Sequence, residues 1–247
     1  MVLRSWNKKS EHKIHELIHG RSYWSDVTLE QINEGSVQVT LQNNKKEKNG
    51  QCSEDGPRGA GVALSALFNV FPNDGDLPKH ITIVSKTGFR EETRPIFNFL
   101  SDITLRRTFI KSFGNGENIR TFEKPSFASK KPKWKQYEEY VQKKMAKEFN
   151  GFTESINIPG IDTDGILKKN DEIIIYETKM KQIDLAEGLT QLIQYFIQVI
   201  NALGYLDKDI SCFLISSEPD QSDNFKRGLK FLKSPIVPNF ILKEKVS

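Results

Sequence analysis

The sequence predicts a mixed α/β (α+β) protein, and three patterns carry that expectation. Short runs rich in β-branched and aromatic residues, at 165–167, 172–178 and 210–216, are set off by polar breaks. Two longer stretches, 134–149 and 185–203, repeat apolar residues at helical spacing. With 152–158 as an extra strand, the order in the second half is helix, three strands, helix, strand. That order predicts a mixed central sheet flanked by helices, preceded by a separate N-terminal α+β region.

The chain has 247 residues, room for one large domain or two small ones. A division into residues 1–125 and 126–247 is expected. A net charge of +4 permits polyanion binding but is too mild to require it. The two cysteines, Cys52 and Cys212, suggest a reducing compartment rather than a disulfide framework. No apolar run approaches the length of a membrane span, and the first residues contain no signal-peptide core. The expected location is intracellular, with cytoplasm, nucleus and mitochondrion unresolved.

In the N-terminal region, residues 10–19 read as a short helix ended by Gly20. His12, His15 and His19 share one face of it, a spacing that could hold zinc. That face lies away from the apolar residues, so a solvated surface is favoured. Residues 36–41 alternate as a strand should. The polar, glycine-containing stretch 43–61 reads as a mobile loop. Its Gly56-Pro-Arg-Gly-Ala-Gly61 segment lacks the Lys-Ser/Thr ending of a phosphate loop and is set aside as one. Residues 62–71 are a helix or a buried strand, 80–85 a strand, and 97–113 one helix containing Arg106 and Arg107.

The helix at 134–149 places Trp134, Val141, Met145 and Phe149 on one stripe, with Glu138 inside it. A carboxylate on a core-facing stripe is costly unless it has a task; the alternative is a residue at the stripe's edge reaching solvent. Lys124, Lys130, Lys131, Lys133 and Lys135 precede or open this helix, and Lys143, Lys144 and Lys147 lie on its outer face. A basic approach to a polyanion and an ordinary solvated lysine face both fit that pattern.

Asp164 then opens the apolar run of Gly165-Ile166-Leu167, and Glu177 and Lys179 close the next strand. Two strands this near in sequence form a hairpin most simply. If Asn170 and Asp171 are its turn residues, Asp164 stands opposite Glu177, about 5 Å away. Two carboxylates so placed repel unless a cation lies between them, and oxygen ligands suit Mg2+ or Mn2+. Glu177 and Lys179 are two apart and share a strand face. Asp184 and Glu187 read as a capping box for the following helix. Its stripe is Leu185, Leu189, Leu192, Phe196, Val199 and Leu203, with Gly204 as the stop. Gln191 and Tyr195 lie one turn apart on its flank.

This arrangement, Asp-Gly-apolar strand, turn, apolar strand and Glu-x-Lys, resembles the PD-(D/E)XK nuclease superfamily. The likeness covers about residues 132–217. Asp162 competes with Asp164 for the ligand role, and the Gly-apolar continuation favours Asp164. Pro159 departs from the pattern, since it does not directly precede an acid. The Gln191-x-x-x-Tyr195 spacing resembles the RecB-like branch.

The resemblance implies a restriction-endonuclease-like αβββαβ core and a Mg2+- or Mn2+-dependent nuclease. Asp164, Glu177, the backbone carbonyl of Thr178 and Glu138 would serve the metal, and Lys179 would position the attacking water. Gln191 and Tyr195 would hold the substrate backbone or orient the ligands. Products would carry a 5′-phosphate and a 3′-hydroxyl. The expected partner is nucleic acid, DNA ahead of RNA, with no membrane; endonuclease and exonuclease action, and monomer and homodimer, stay open. Two rivals remain: an inactive nuclease-fold protein that binds nucleic acid or serves in assembly, and a metal-independent protein-interaction domain.

Overall fold

The computed structural model describes residues 25–33, 35–44, 46–127, 131–151, 153–154, 165–181, 185–203, 209–218 and 223–244. The possible zinc-binding histidines His12, His15 and His19, together with Asp162, Asp164 and Asp184, lie outside them. So do Gly204, Lys130, Pro159, and Phe152 and residues 155–158 of the extra strand. In chain order the elements begin β1 (Ser25–Asn33), β2 (Ser36–Asn43), α1 (Pro57–Val70), β3 (His80–Ser85), α2 (Thr93–Leu100), α3 (Ile103–Ser112) and β4 (Ile119–Thr121). There follow α4 (Lys133–Glu148), β5 (Thr153–Glu154), β6 (Gly165–Lys169), β7 (Glu172–Lys179) and α5 (Leu185–Leu203). The last are β8 (Ile210–Ser216), α6 (Asp223–Lys233) and β9 (Asn239–Glu244). The protein is a mixed α/β structure with two mixed sheets. It divides into two compact units, Met1–Arg107 with Asp223–Ser247, and Thr108–Ser222.

The first unit is built on the sheet β1-β2-β3-β9. The β1–β2 pair is antiparallel, while β2–β3 and β3–β9 are parallel. A parallel pair needs a crossover, and α1 supplies it between β2 and β3. The sequence reading carried the polar loop to Gly61; α1 instead starts at Pro57, whose fixed φ and missing N–H suit the first helical turn. The segment 62–71 is therefore helix, with Ala63, Ala66 and Leu67 buried.

The single helix expected over 97–113 is two. Asp102 interrupts it and caps α3, its Oδ1 accepting from the backbone N–H groups of Thr104 (2.8 Å) and Leu105 (3.0 Å). Arg106, placed inside that helix by the sequence, is fully buried. Its Nη1 donates to Phe231 O at 3.0 Å and its Nη2 to Ile236 O at 3.1 Å, and its guanidinium lies over the Phe231 ring. It thus adds a second donor to a last-turn carbonyl of α6 that otherwise receives, among the described residues, only the Ser234 N–H.

The second unit carries the sheet β4-β8-β7-β6-β5. β4, β8 and β7 are mutually parallel, and β6 and β5 run antiparallel to their neighbours. The hairpin β6–β7 has the expected register, Lys169↔Glu172 at the turn and Gly165↔Tyr176 at the far end. Asn170 takes a φ of 53°, the left-handed conformation that asparagine tolerates and a two-residue hairpin turn demands.

Alternation along β7 and β8 assigns residues to the two faces of this sheet. One face presents Leu167, Ile174, Tyr176, Phe213 and Ile215, and α4 covers it with Tyr137, Val141 and Met145. The other presents Ile173, Ile175, Glu177 and Lys179 on β7 beside Cys212, Leu214 and Ser216 on β8. Here α5 packs, with Leu189, Leu192, Ile193, Phe196 and Val199 buried. Along α4 the expected stripe needs one correction. Trp134 is 45% exposed, and the fully buried Tyr137 takes its place as the first anchor.

Candidate functional site

Glu177 and Lys179 close strand β7, two residues apart and on the α5 face. Their side chains meet, Lys179 Nζ lying 2.7 Å from Glu177 Oε1. Glu177 is 2% exposed and Lys179 15%. A carboxylate this buried needs charged or hydrogen-bonded company to remain ionised, and the ammonium two residues on provides it. Thr178, between them, points its buried side chain to the α4 face.

Helix α5 is pressed against this pair. A Cβ built on Gly188 would fall 2.8 Å from Lys179 Cγ and 2.8 Å from Leu214 Cδ1. Only a residue without a side chain lets the helix come so near, and the aliphatic stem of Lys179 fills the space. Gln191 follows Gly188 by three positions and Tyr195 by seven, so all three lie along one line of the helix. Tyr195 is buried. The amide oxygen of Gln191 is buried and accepts no hydrogen bond among the described residues. Tyr195 is therefore not solvent-facing helix polarity, and Gln191, half-buried, turns its amide oxygen inward.

Beneath the hairpin, Gly165 makes a second close approach. A Cβ there would fall 1.9 Å from Tyr176 Cζ; the tyrosine ring lies across the glycine it pairs with. The β6–β7 ladder as described ends at this pair, and Asp164 is the residue directly before it in sequence.

The C-terminal ends of β4, β8 and β7 form one edge of the sheet. Lys179 pairs in register with Ser216, and Ser216 with Thr121. Phe122 N–H donates to Ser216 O at 2.9 Å, and Tyr137 Oη donates to Phe122 O at 2.9 Å. Burial first, and then neighbouring Tyr140, pushes the Tyr137 phenol well above its usual range, so it stays a neutral donor. This chain of contacts sets the start of α4 at the sheet edge where Glu177 and Lys179 emerge. Glu138, half-buried, follows Tyr137 on this helix, which covers the opposite face of the sheet.

The sequence reading missed three contributors here: Gly188, Tyr137 and Ser216. The first left a signal, since an isolated glycine inside a helical pattern costs about 1 kcal/mol and points to close packing. Among the described residues, no group of three or more His, Cys, Asp or Glu side chains is gathered as a metal cage. A separate pocket of about 600 Å³ opens at the other end of β7 and β8, lined by Lys111, Asn118, Glu172, Asp209 and Ser211 among others. Comparison with family models, with curated proteins and with solved structures gives no match.

Proposed function

We propose that this chain is a metal-dependent nuclease with a restriction-endonuclease-like core, hydrolysing phosphodiester bonds at the edge formed by the ends of β7 and β8. The observation that carries the reading is the buried Glu177–Lys179 pair held under Gly188 of α5. Ligand sites in open α/β sheets lie outside the carboxyl ends of parallel strands, and the pair stands at such an end. The order helix, three strands, helix, strand around it supports the same reading.

The donor chemistry fits a hard divalent cation. Glu177 offers a buried carboxylate and Gln191 a buried amide oxygen without a hydrogen-bond partner among the described residues. Mg2+ or Mn2+ takes oxygen ligands of this kind. Asp164 and Glu177 would hold it, with the Thr178 carbonyl and Glu138 supporting. Once bound, it would polarise the scissile phosphate and acidify a coordinated water.

The chain's own groups do the positioning. The ion pair with Glu177 and the packing of its stem under α5 fix the Lys179 ammonium in one place. A pre-placed cation orients the attacking water and offsets charge that develops on the phosphate. Gln191 and Tyr195, on the line of α5 that passes Lys179, would orient the ligands or the substrate backbone.

The test is cleavage of labelled single-stranded DNA, double-stranded DNA and RNA with Mg2+, Mn2+ or EDTA, with Lys179→Ala beside the unaltered protein. Cutting that needs metal and disappears in the variant is the expected result. No cutting on any substrate, with metal-independent binding, would assign the chain to the inactive nucleic-acid-binding class instead.

A further inference from the structure

Building on the nuclease reading, we propose that the exposed first turn of α4 and the flank beside it form a stacking platform for single-stranded nucleic acid. Trp134 would stack a base, and Lys133, Lys144 and Lys147 would follow the phosphates towards the Glu177–Lys179 edge.

Trp134 falls on the same helical line as Tyr137 and Val141, yet it is 45% exposed while they are fully buried. The apolar stripe of α4 therefore runs one turn past the sheet it packs on. A large indole is left half in water at the point where the helix meets the β7–β8 edge. Isolated exposed apolar residues are ordinary; this one is flanked in sequence by the exposed Lys133 and Lys135.

A second aromatic continues the pattern. Lys133, Tyr140, Lys144 and Lys147 are spaced by seven, four and three residues, one flank of a helix. Tyr140 is half-buried, and Lys144 Nζ lies 5.5 Å from its ring centre. The flank thus sets one ring among three lysines, a quarter-turn from Trp134. Of the acids on α4, Glu139 is ion-paired with Lys131 at 2.7 Å and Glu148 with Arg120. Lysines beside exposed aromatic surface suit a strand whose bases are open, because every base has a face to stack and every linkage a phosphate to neutralise. A duplex keeps its base faces inside and offers Trp134 nothing to stack on.

The experiment is fluorescence anisotropy of labelled oligothymidylate, oligouridylate and a blunt DNA duplex, titrated with the full chain in EDTA so that nothing is cut. Trp134→Ala, Trp134→Phe and Lys179→Ala are run in parallel. Single strands should bind more tightly than the duplex. Trp134→Ala should weaken single-strand binding about tenfold, the scale of one lost base–aromatic stack, and Trp134→Phe should retain most of it. An unchanged circular dichroism spectrum is expected for both, since the ring is half outside. Lys133→Ala and Lys144→Ala should each lower the salt dependence by about one phosphate contact.

Equal single-strand affinity in Trp134→Ala would overturn the platform, as would a duplex bound as tightly as single strands. The two readings fail separately. Cleavage that survives beside Trp134-independent binding removes the platform alone. Trp134-dependent binding by a protein that cuts nothing removes the nuclease reading alone.

Discussion

A Cβ placed on Gly188 would stand 2.8 Å from Cγ of Lys179, so the position of the lysine depends on a hydrogen atom in the neighbouring helix. Gly188→Ala separates site geometry from stability. Helix propensity favours alanine by about 1 kcal/mol, which offsets much of an overpacking cost of about 1–3 kcal/mol. The variant should unfold in urea within about 2 kcal/mol of the parent. Metal-dependent cleavage should fall by about a hundredfold, the scale of a 1 Å displacement of a catalytic group. Unchanged cleavage would show that Lys179 need not stay where Gly188 holds it.

Lys179→Met should cost stability as well as activity. Glu177 is buried, and losing a charged hydrogen-bond partner there costs about 2 kcal/mol. Glu177→Gln combined with Lys179→Met should recover part of that loss, because no buried charge remains. Urea midpoints of the two single variants and the double one measure the coupling. Independent effects would make the charges of the pair ornamental, as the protein-interaction rival requires.

Gly165→Ala should be the most damaging of the glycine changes. The added methyl meets the Tyr176 ring at bonding distance, 1.9 Å from Cζ, so the strand or the ring has to move. A loss of about 3 kcal/mol, the upper range for overpacked cores, is expected in chemical denaturation. Wild-type stability would mean that the tyrosine can leave its glycine at no cost.

In the first unit, Arg106→Met should destabilise by about 1–3 kcal/mol, since Ile236 O loses its donor and Phe231 O keeps only the Ser234 N–H. Arg106→Lys should not restore it, because one ammonium cannot reproduce a fork to two separate carbonyls. Thermal melts of the three proteins compare the outcomes directly.

The two thiols should differ sharply. Cys212 is fully buried, and burial pushes its thiol well above the usual range. Cys52 is half-buried, with Lys46 Nζ 3.2 Å from its sulfur. A thiolate-directed reagent should label Cys52 in the native protein and reach Cys212 only on unfolding. Rapid labelling of both would show that β8 opens.

The hairpin was legible because its signals are local: Asn170 and Asp171 for the turn, and β-branched alternation on each side. The capped break at Asp102 was equally local and was overlooked, since apolar spacing continued across it. Trp134 was misread for a different reason. Periodicity gives the angle of a residue about the helix axis but not how far along that axis the facing sheet extends. The burial of Arg106 had no local sign, because nothing in the neighbouring sequence announces two carbonyls more than a hundred positions away. The pairing of β9 with β3 left no local trace at all. At the candidate site, the acid-x-Lys spacing could be read directly, whereas the closeness of Gly188 to Lys179 needed the helix docked on the sheet.

The order of strands in the first unit has a consequence for synthesis. Its sheet takes β1, β2 and β3 from before the second unit and β9 from after it. On the ribosome, the second unit has all of its described strands once Ser216 has emerged, while β3 still waits for its outer neighbour. The nascent chain therefore completes the inserted unit first and carries an open strand edge meanwhile. A stop codon ahead of Asn239 would make that edge permanent, leaving Ile81, Ile83 and their backbone groups open to pairing with another molecule.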